Sequence, residues 1–176
     1  MNILISILAI VAGIIALVFI IALFMKKGYR TYQEVMIQAP KQKVFDYIKH
    51  IKNQDNYNKW VMMDPNMKKV FKGTDGTIGF IYAWNGNKEA GEGEQEIKAI
   101  SEGENIEMEI RFVRPFAGIA QAEMTTEIVL PEQTKVSWTT SSTMKYPLNI
   151  ILPMILKMLE KDMETSLNTL KSVLEK

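Results

Sequence analysis

Residues 105–112, Asn-Ile-Glu-Met-Glu-Ile-Arg-Phe, alternate between apolar and charged side chains after the first residue. Neighbouring residues of a strand point to opposite sides of a sheet. The even-numbered residues from Ile106 to Phe112 therefore share one face, and the odd-numbered ones from Glu107 to Arg111 share the other. This pattern predicts an antiparallel strand that covers a core on one side and meets water on the other.

Six more segments have the composition of strands and are separated by residues that favour turns. They are Thr31–Ile37, Lys68–Lys72, Thr77–Trp84, Glu92–Ile100, Ile119–Leu130 and Lys135–Met144. Most of the connections are short, as in Asn85-Gly86-Asn87, so successive strands are expected to pair as antiparallel neighbours. The sequence predicts an α+β fold with a curved antiparallel sheet of about seven strands.

Two helices and a short helical turn accompany these strands. The first helix is predicted from Pro40 to about Ile51, and a short helical turn follows within residues 53–60. The last helix has apolar side chains at spacings of three and four, with Pro153 in or just before its first turn. Its stripe consists of Leu156, Leu159, Met163, Leu167, Leu170 and Leu174. We expect this stripe to cover the inner face of the sheet.

The N-terminal segment from Ile3 to Met25 has neither charge nor proline, and Lys26, Lys27 and Arg30 follow it. As a helix it would be about 34 Å long, slightly more than the roughly 30 Å hydrocarbon core of a bilayer. A cleaved signal would need a basic start and a small-residue cleavage site, and the sequence has neither. The segment predicts a retained membrane anchor.

The anchor divides the chain into a transmembrane part with its basic flank, residues 1–30, and one domain, residues 31–176. Because the nearby cations follow the helix, the positive-inside rule places this domain in the cytoplasm of a single-pass membrane protein. About five residues separate the anchor from the first strand, a reach of at most roughly 17 Å. Small residues at Ala9/Gly13 and Ala12/Ala16 permit weak self-association of the helix.

Composition excludes several classes of function. Removing Lys26, Lys27 and Arg30 from the 21 Lys and Arg leaves 18 against 20 Asp and Glu, a net charge of −2, which disfavours a nucleic-acid partner. The absence of cysteine excludes disulfides and thiol chemistry. The single histidine, His50, lies off the apolar stripe of its helix, so no catalytic residue, metal site or cofactor is predicted.

Several short motifs, taken together, resemble a known superfamily. They are Ile37-Gln38-Ala39-Pro40, Val44-Phe45-Asp46-Tyr47-Ile48, Trp60, Met63-Asp64-Pro65-Asn66, Gly76 with Gly79, Tyr82-Ala83-Trp84, Gly91-Glu92-Gly93, Pro115-Phe116 and Thr134-Lys135-Val136-Ser137-Trp138. From Tyr32 to Leu174 the chain resembles the START-like, SRPBCC or polyketide cyclase/dehydratase superfamily. The resemblance implies a helix-grip fold, β-α-α-β6-α, with a deep cavity between sheet and last helix for an apolar molecule. It implies no particular reaction.

The predicted ligand-binding residues are the polar or adaptable side chains of the inner face and the last helix. They are Tyr82, Trp84, Gln95, Met108, Ile110, Met124, Thr126, Trp138, Thr140, Ser142, Met158 and Met163. Sparse polar groups in an apolar wall are typical of small-molecule sites, and methionine adapts to varied ligands. The same residues also describe an ordinary packed core, and this alternative stays open.

Three hypotheses for function follow. The first is a membrane-anchored domain that binds a small hydrophobic ligand, such as a lipid or a polyketide- or isoprenoid-like molecule, without chemistry. The second is a cyclase or dehydratase in which Tyr82, Thr140 or Ser142 assists proton transfer; it would gain support from Glu109 or Glu123 turned inward. The third is a protein-interaction module whose groove holds a partner segment. The apolar run Leu148–Met154 is either a lip near the bilayer or part of the packed fold.

Overall fold

The computed structural model describes residues 3–176; Met1 and Asn2, the start of the predicted anchor, lie outside the described residues. The helices are α1 (Ile3–Phe24), α2 (Lys41–Lys49), α3 (Lys59–Met62) and α4 (Leu152–Leu174). The strands are β1 (Gly28–Ile37), β2 (Lys68–Lys72), β3 (Ile81–Asn85), β4 (Glu92–Ser101), β5 (Asn105–Arg114), β6 (Gly118–Leu130) and β7 (Gln133–Thr143). Two 3₁₀ turns cover Ile51–Asn56 and Leu148–Ile151.

The seven strands form one antiparallel sheet in the order β1-β7-β6-β5-β4-β3-β2. From β2 to β7 every strand lies beside its neighbour in sequence, because short hairpin connections keep consecutive strands together. The first strand crosses over to pair with the last, from Gly28 opposite Thr143 to Ile37 opposite Thr134. The predicted α+β architecture is confirmed, with a long last helix against the sheet.

Two strands begin three or more residues away from their predicted starts. β1 starts at Gly28 rather than Thr31, since Gly28, Tyr29 and Arg30 all pair with β7. β3 starts at Ile81 rather than Thr77, because residues 77–80 form a turn in which the Phe80 amide donates to the Thr77 carbonyl (3.1 Å). Gly76 and Gly79 flank this turn with φ of 79° and 85°, a backbone region that ends a strand.

Near the ends of two strands, some side chains that alternation turns toward the inner face are exposed in the structure. Alternation along the predicted strand Thr77–Trp84 turns Ile78 inward, but this residue belongs to the turn and is 64% exposed. Alternation along the predicted strand Ile119–Leu130 turns Ile128 and Leu130 inward, but they are 62% and 60% exposed. The register of β6 on β7 shifts between Ile128 and Leu130, so the regular alternation of side chains is interrupted at this end of the hairpin.

The core lies between the sheet and the C-terminal part of α4. Met163, Leu167, Leu170 and Leu174 are buried there, as the predicted stripe requires. Val44, Phe45 and Ile48 of α2 close the same end, and each fully buried large apolar side chain contributes about 1.5–3 kcal/mol. Leu156 and Leu159, the first residues of the stripe, are only partly buried. The packing is therefore looser beneath the N-terminal part of α4.

The N-terminal helix α1 has 22 residues and is long and apolar enough to cross a membrane. At 1.5 Å per residue it measures about 33 Å, close to the thickness of a hydrocarbon core. Nearly all of its side chains are exposed, and Ala22 is the buried exception among the described residues. A soluble core helix would instead bury an apolar stripe.

Candidate ligand cavity

A cavity of about 210 Å³ lies between the inner face of the sheet and the N-terminal part of α4. Its wall is formed by Tyr29, Trp60, Val61, Met67, Tyr82, Trp84, Glu89, Ala90, Gln95, Ile110, Phe112, Arg114, Pro115, Ala120, Trp138, Thr140 and Leu159. The strands contribute their ends near Gly28, Arg114 and Thr143, so the cavity occupies one end of the sheet. It is smaller than the roughly 300–1,000 Å³ typical of ligand pockets.

Half of the predicted ligand-binding residues lie on this wall. They are Tyr82, Trp84, Gln95, Ile110, Trp138 and Thr140. All of them point inward from β3, β4, β5 and β7, and the pleat brings them together because the strands are in register. That they bind a ligand stays a prediction.

The other six predicted residues lie outside the wall. Met108, Met124 and Met163 are at most 2% exposed and belong to the packed core, where they fill the opposite half of the inner face. The hydroxyl of Thr126 donates to the Gly103 carbonyl (2.9 Å). The cavity therefore occupies only part of the inner face. The family resemblance had implied a deep cavity between the sheet and the last helix.

Ser142 and Met158 are the last two of these residues. The Ser142 hydroxyl donates to the Ile119 carbonyl (2.5 Å) and so supports the sheet. Met158 is 55% exposed and its neighbour Leu159 lines the cavity instead. The inward placement of Met158 was wrong because the stripe of α4 passes through position 159, and one residue along a helix turns a side chain by about 100°.

Most polar groups of the wall already have partners inside the protein. Tyr82 OH donates to Asp55 Oδ1 (3.0 Å), and Trp84 Nε1 donates to the Ala90 carbonyl (3.1 Å). The Gln95 amide forms a reciprocal pair with the buried Gln54, in which Gln95 Nε2 donates to Gln54 Oε1 at 2.8 Å. The surface offered to a ligand is therefore mainly hydrocarbon and aromatic ring.

One buried donor of the wall lacks a partner. Within the described residues, Trp138 Nε1 is shielded from solvent and makes no hydrogen bond, while its ring packs edge-on against Trp60 at 5.7 Å between centroids. A buried donor without a partner costs about 1–3 kcal/mol. The nitrogen is covered by neighbouring protein atoms and is not offered to the cavity.

The electrostatics of the wall disfavour acid–base catalysis. Burial, together with the charge of Asp55, raises the pKa of Tyr82 well above its usual range, so its hydroxyl stays protonated at neutral pH and is no base. Glu109 is on the outer face, where its bonds to Arg111 and Gln121 lower its pKa. Glu123 also lies outside and accepts from Asn105 Nδ2 (3.0 Å).

Two charged residues at the open end of the cavity were not foreseen. Glu89 and Arg114 are both exposed wall residues. Arg114 donates hydrogen bonds to Glu92 Oε2 (2.8 Å) and Asn85 Oδ1 (2.8 Å). These bonds join the end of β5 to the two ends of the β3–β4 connection. No group of three or more carboxylates, histidines or cysteines that could hold a metal ion occurs in residues 3–176.

The acidic cluster Glu92, Glu94 and Glu96 alternates with buried residues of β4 and faces away from the cavity. Gly93, Gln95 and Ile97 between them are buried. Arg111 pairs with Glu94 (2.7 Å) and Glu96 (2.8 Å), and hydrogen bonds from Lys98 and Arg111 lower the pKa of Glu96. A depression of about 310 Å³ on the same outer face has a polar lining that includes Arg30, Glu107 and Glu123, which is unsuited to an apolar ligand.

Gly93 makes room for the wall of the cavity. A Cβ there would lie 2.6 Å from the Arg111 carbonyl oxygen and 2.8 Å from the Trp84 ring. An aromatic ring and the neighbouring strand β5 therefore pack directly against the backbone of Gly93.

We expect Gly93→Ala to destabilise the protein by about 1–3 kcal/mol, because Trp84 and β5 must shift to admit the methyl group. Urea unfolding of the full chain in mild detergent measures the change. Gly118→Ala is the control, since a Cβ there meets no atom within 4 Å. Equal stability of the two variants would contradict the assigned contact.

Tyr57 is fully buried in the core, and its hydroxyl has only the Met124 sulfur (3.9 Å) as a partner within the described residues. Burial raises its pKa well above the usual value of about 10. Above pH 10 the unfolded chain loses this proton while the folded chain keeps it. The stability is therefore complete below about pH 10 and declines as the pH rises toward the folded pKa.

We expect Tyr57→Phe to be within about 1 kcal/mol of wild type at pH 7 and to lose less stability at pH 11, by roughly 1 kcal/mol. Urea unfolding at both pH values measures this. Equal losses in the two proteins at pH 11 would show that Tyr57 does not carry the effect.

Comparison with solved structures identifies the architecture. The Zhui aromatase/cyclase from a Streptomyces species superposes with a TM-score of 0.65 at 12% identity, over 84% of this chain and 94% of that chain. Norcoclaurine synthase from Thalictrum flavum, in complex with dopamine and hydroxybenzaldehyde, gives a TM-score of 0.63 at 11% identity, over 88% and 90%. The chain has the helix-grip fold of these structures. Ara h 8.0201 shares this helix-grip fold, with a TM-score of 0.56 at 14% identity, over 84% and 97%.

At these identities the likeness shows the helix-grip fold and nothing finer. No family model matches the sequence, and no curated protein matches it.

Several residues of the cavity wall were not among the ligand-binding residues predicted from the sequence. Tyr29 was missed because the first strand was started too late, and Trp60 and Met67 lie in a segment whose position depends on tertiary packing. Phe112, Ala120 and Leu159 were assigned to the inner face or the stripe but not to the site. Their period-two and helical patterns placed the side chains inward without showing that a void lay beside them.

Proposed function

We propose that this protein is a membrane-anchored helix-grip domain that binds a small hydrophobic ligand between the sheet and α4. The observation that carries the proposal is the cavity wall, in which the polar groups of Tyr82, Trp84 and Gln95 already form hydrogen bonds with other protein groups. An apolar molecule gives up no hydrogen bonds to water when it enters such a cavity. A polar molecule would give up hydrogen bonds to water that the wall cannot replace.

The size of the cavity limits the ligand. A volume of about 210 Å³ suits one acyl or isoprenoid-like chain, or a small polyketide-like ring system, rather than a whole two-chain lipid. The neighbouring folds whose names denote a cyclase and a synthase are compatible with ligands of this type.

Residues 1–30 are proposed as the anchor with its basic flank and residues 31–176 as the binding domain. The anchor is supported by α1, whose 22 residues expose an apolar surface that water would not tolerate. Lys26, Lys27 and Arg30 favour a cytoplasmic domain in a single-pass cell-membrane protein. The anchor also keeps the cavity close to a reservoir of apolar molecules.

The test is to purify the full chain in mild detergent, extract it with organic solvent and analyse the extract by mass spectrometry. We expect close to one apolar molecule per chain. In parallel, a diazirine-bearing palmitate in phosphatidylcholine vesicles should crosslink to peptides that contain wall residues such as Trp138 or Ala120. An empty chain that also gives no crosslink at the wall would overturn the proposal.

A further inference from the structure

The domain is held directly against the end of α1. Only Met25–Lys27 separate α1 from β1, fewer residues than predicted, and the segment Tyr146–Ile151 packs against the helix end. We call this segment the clasp. Its Asn149 Nδ2 donates to the carbonyls of Ala22 (2.7 Å) and Met25 (3.2 Å), which lie in the last turn and just after it. Such carbonyls have no partner inside a helix, so Asn149 caps α1 from the domain.

The burial of these groups shows that the contact is close. Asn149 and Ala22 are both 0% exposed. On the other side of the linker, the Met144 amide donates to the Lys27 carbonyl (2.8 Å) and joins the chain to the end of β7. The helix end is therefore held on both sides of the three-residue connection.

The clasp also reaches along α1 toward its middle. Tyr146 OH donates to the Phe19 carbonyl (3.4 Å), and the two rings meet edge-on with centroids 6.0 Å apart. Phe19 lies five residues before the helix end, which corresponds to about 7.5 Å along the axis. When α1 spans a bilayer of about 30 Å, the Tyr146 hydroxyl therefore lies a few ångströms inside the hydrocarbon boundary, next to the interface at which tyrosine is enriched in membrane proteins.

The register of the sheet brings the β5–β6 hairpin to the same level. Ala120 is opposite Ser142, so two residues further on Gly118 is level with Met144, which bonds to Lys27. The loop between Arg114 and Gly118 consequently extends past Lys27 in the direction of the end of α1.

Exposed apolar side chains gather at this end of the domain. Phe116 of the hairpin loop is 53% exposed, and Met154 and Met158, one turn apart on α4 just after the clasp, are 67% and 55% exposed. We call these three residues the apolar rim. Lys26, Lys27 and the exposed Lys145 flank them, a combination that suits anionic headgroups beside acyl chains.

We propose that the clasp makes α1 and the domain one rigid unit that seats the apolar rim in the bilayer surface, with the cavity opening onto the lipid. The exposed wall residues Phe112, Arg114 and Pro115 belong to the same hairpin as Phe116, so the opening lies beside the rim. What passes through the opening rests on the proposed function, whereas the seating itself does not.

The absence of cysteine allows the seating to be measured with single labels. The full chain carrying Phe116→Cys or Met154→Cys is labelled with the environment-sensitive dye NBD and reconstituted into phosphatidylcholine/phosphatidylglycerol vesicles. Glu132→Cys, in the exposed β6–β7 turn at the opposite end of the sheet, is the control. We expect blue-shifted emission and several-fold stronger quenching by nitroxide-labelled lipid at Phe116 and Met154 than at Glu132.

Quenching at the rim equal to that at Glu132 would overturn the proposal. Blue-shifted emission without quenching by the labelled lipid would also overturn it, because the rim would then be covered by protein. If the rim is quenched and the extraction test finds no ligand, the proposed function fails while the seating stands.

The role of the clasp is tested by adding Asn149→Ala to the Phe116→Cys chain. Loss of both hydrogen bonds to α1 is expected to lower the quenching at position 116 by at least about half, with the chain still in the membrane. Asn168→Ala, on the exposed side of α4, is the matched control and should change nothing. Unchanged quenching in the Asn149 variant, with circular dichroism showing a folded domain, would refute the clasp as the positioning device.

Discussion

Replacing Ala120 by phenylalanine is expected to abolish ligand binding while leaving the domain folded. Ala120 lies on β6 with 1% exposure, lines the cavity and is opposite both Ile110 and Ser142. A ring at this position projects toward the void of about 210 Å³ that Ala120 borders and takes up part of it. A ligand must then push the ring aside, and a cost of about 2.7 kcal/mol weakens binding 100-fold.

Native mass spectrometry of the full chain released from detergent measures this effect as loss of the ligand-bound mass. Gln121→Phe is the matched control, because the next residue of the same strand points to the outer face, where it is opposite Glu109 and Ser141. The control should keep its bound molecule. An Ala120→Phe chain with as much ligand as the control would place the binding site elsewhere.

Placing two arginines in the middle of α1, by Ile14→Arg with Leu17→Arg, is expected to remove the protein from the membrane. Ile14 and Leu17 are near the centre of the helix and are 57% and 56% exposed. Two arginines there cost about 5–7 kcal/mol on an insertion scale. The 16 Ile, Leu, Val and Phe residues of the segment contribute about 5–10 kcal/mol in favour, so the double variant loses most of its drive to insert.

Alkaline carbonate washing of membranes measures the outcome, with the chain detected by a C-terminal epitope. The wild type should resist the wash, and Ile14→Arg with Leu17→Arg should appear in the supernatant or be degraded. Ile14→Leu with Leu17→Ile keeps the hydrophobicity and should behave as wild type. Carbonate resistance of the arginine variant would show that α1 does not hold the protein in the membrane.

The helix-grip architecture was accessible from local patterns. The alternation around Ile106 and Met108 placed these residues inside correctly, because the period of two is a property of the strand itself. The stripe ending at Leu174 likewise described the face that α4 buries. The errors lie at boundaries such as Thr77, where Gly76 and Gly79 turned an apparently continuous strand into a loop.

The candidate site was only partly accessible, because a pattern gives the direction of a side chain and not the volume in front of it. Met108 and Trp138 share the same inner face, yet the first is packed in the core and the second borders the cavity. What separates them is whether α2 and the C-terminal half of α4 fill the space opposite, and that depends on contacts between residues far apart in sequence.

By itself the sequence determined an apolar N-terminal helix, the number and faces of the strands, and a last helix to cover them, since each follows from the local spacing of apolar side chains. Only the tertiary structure decided that the void lies at the end near α1, that Ala120 and Leu159 border it, and that Asn149 grips the helix end. These features arise where α1, the clasp and the sheet meet, and no local periodicity records how the three pack together.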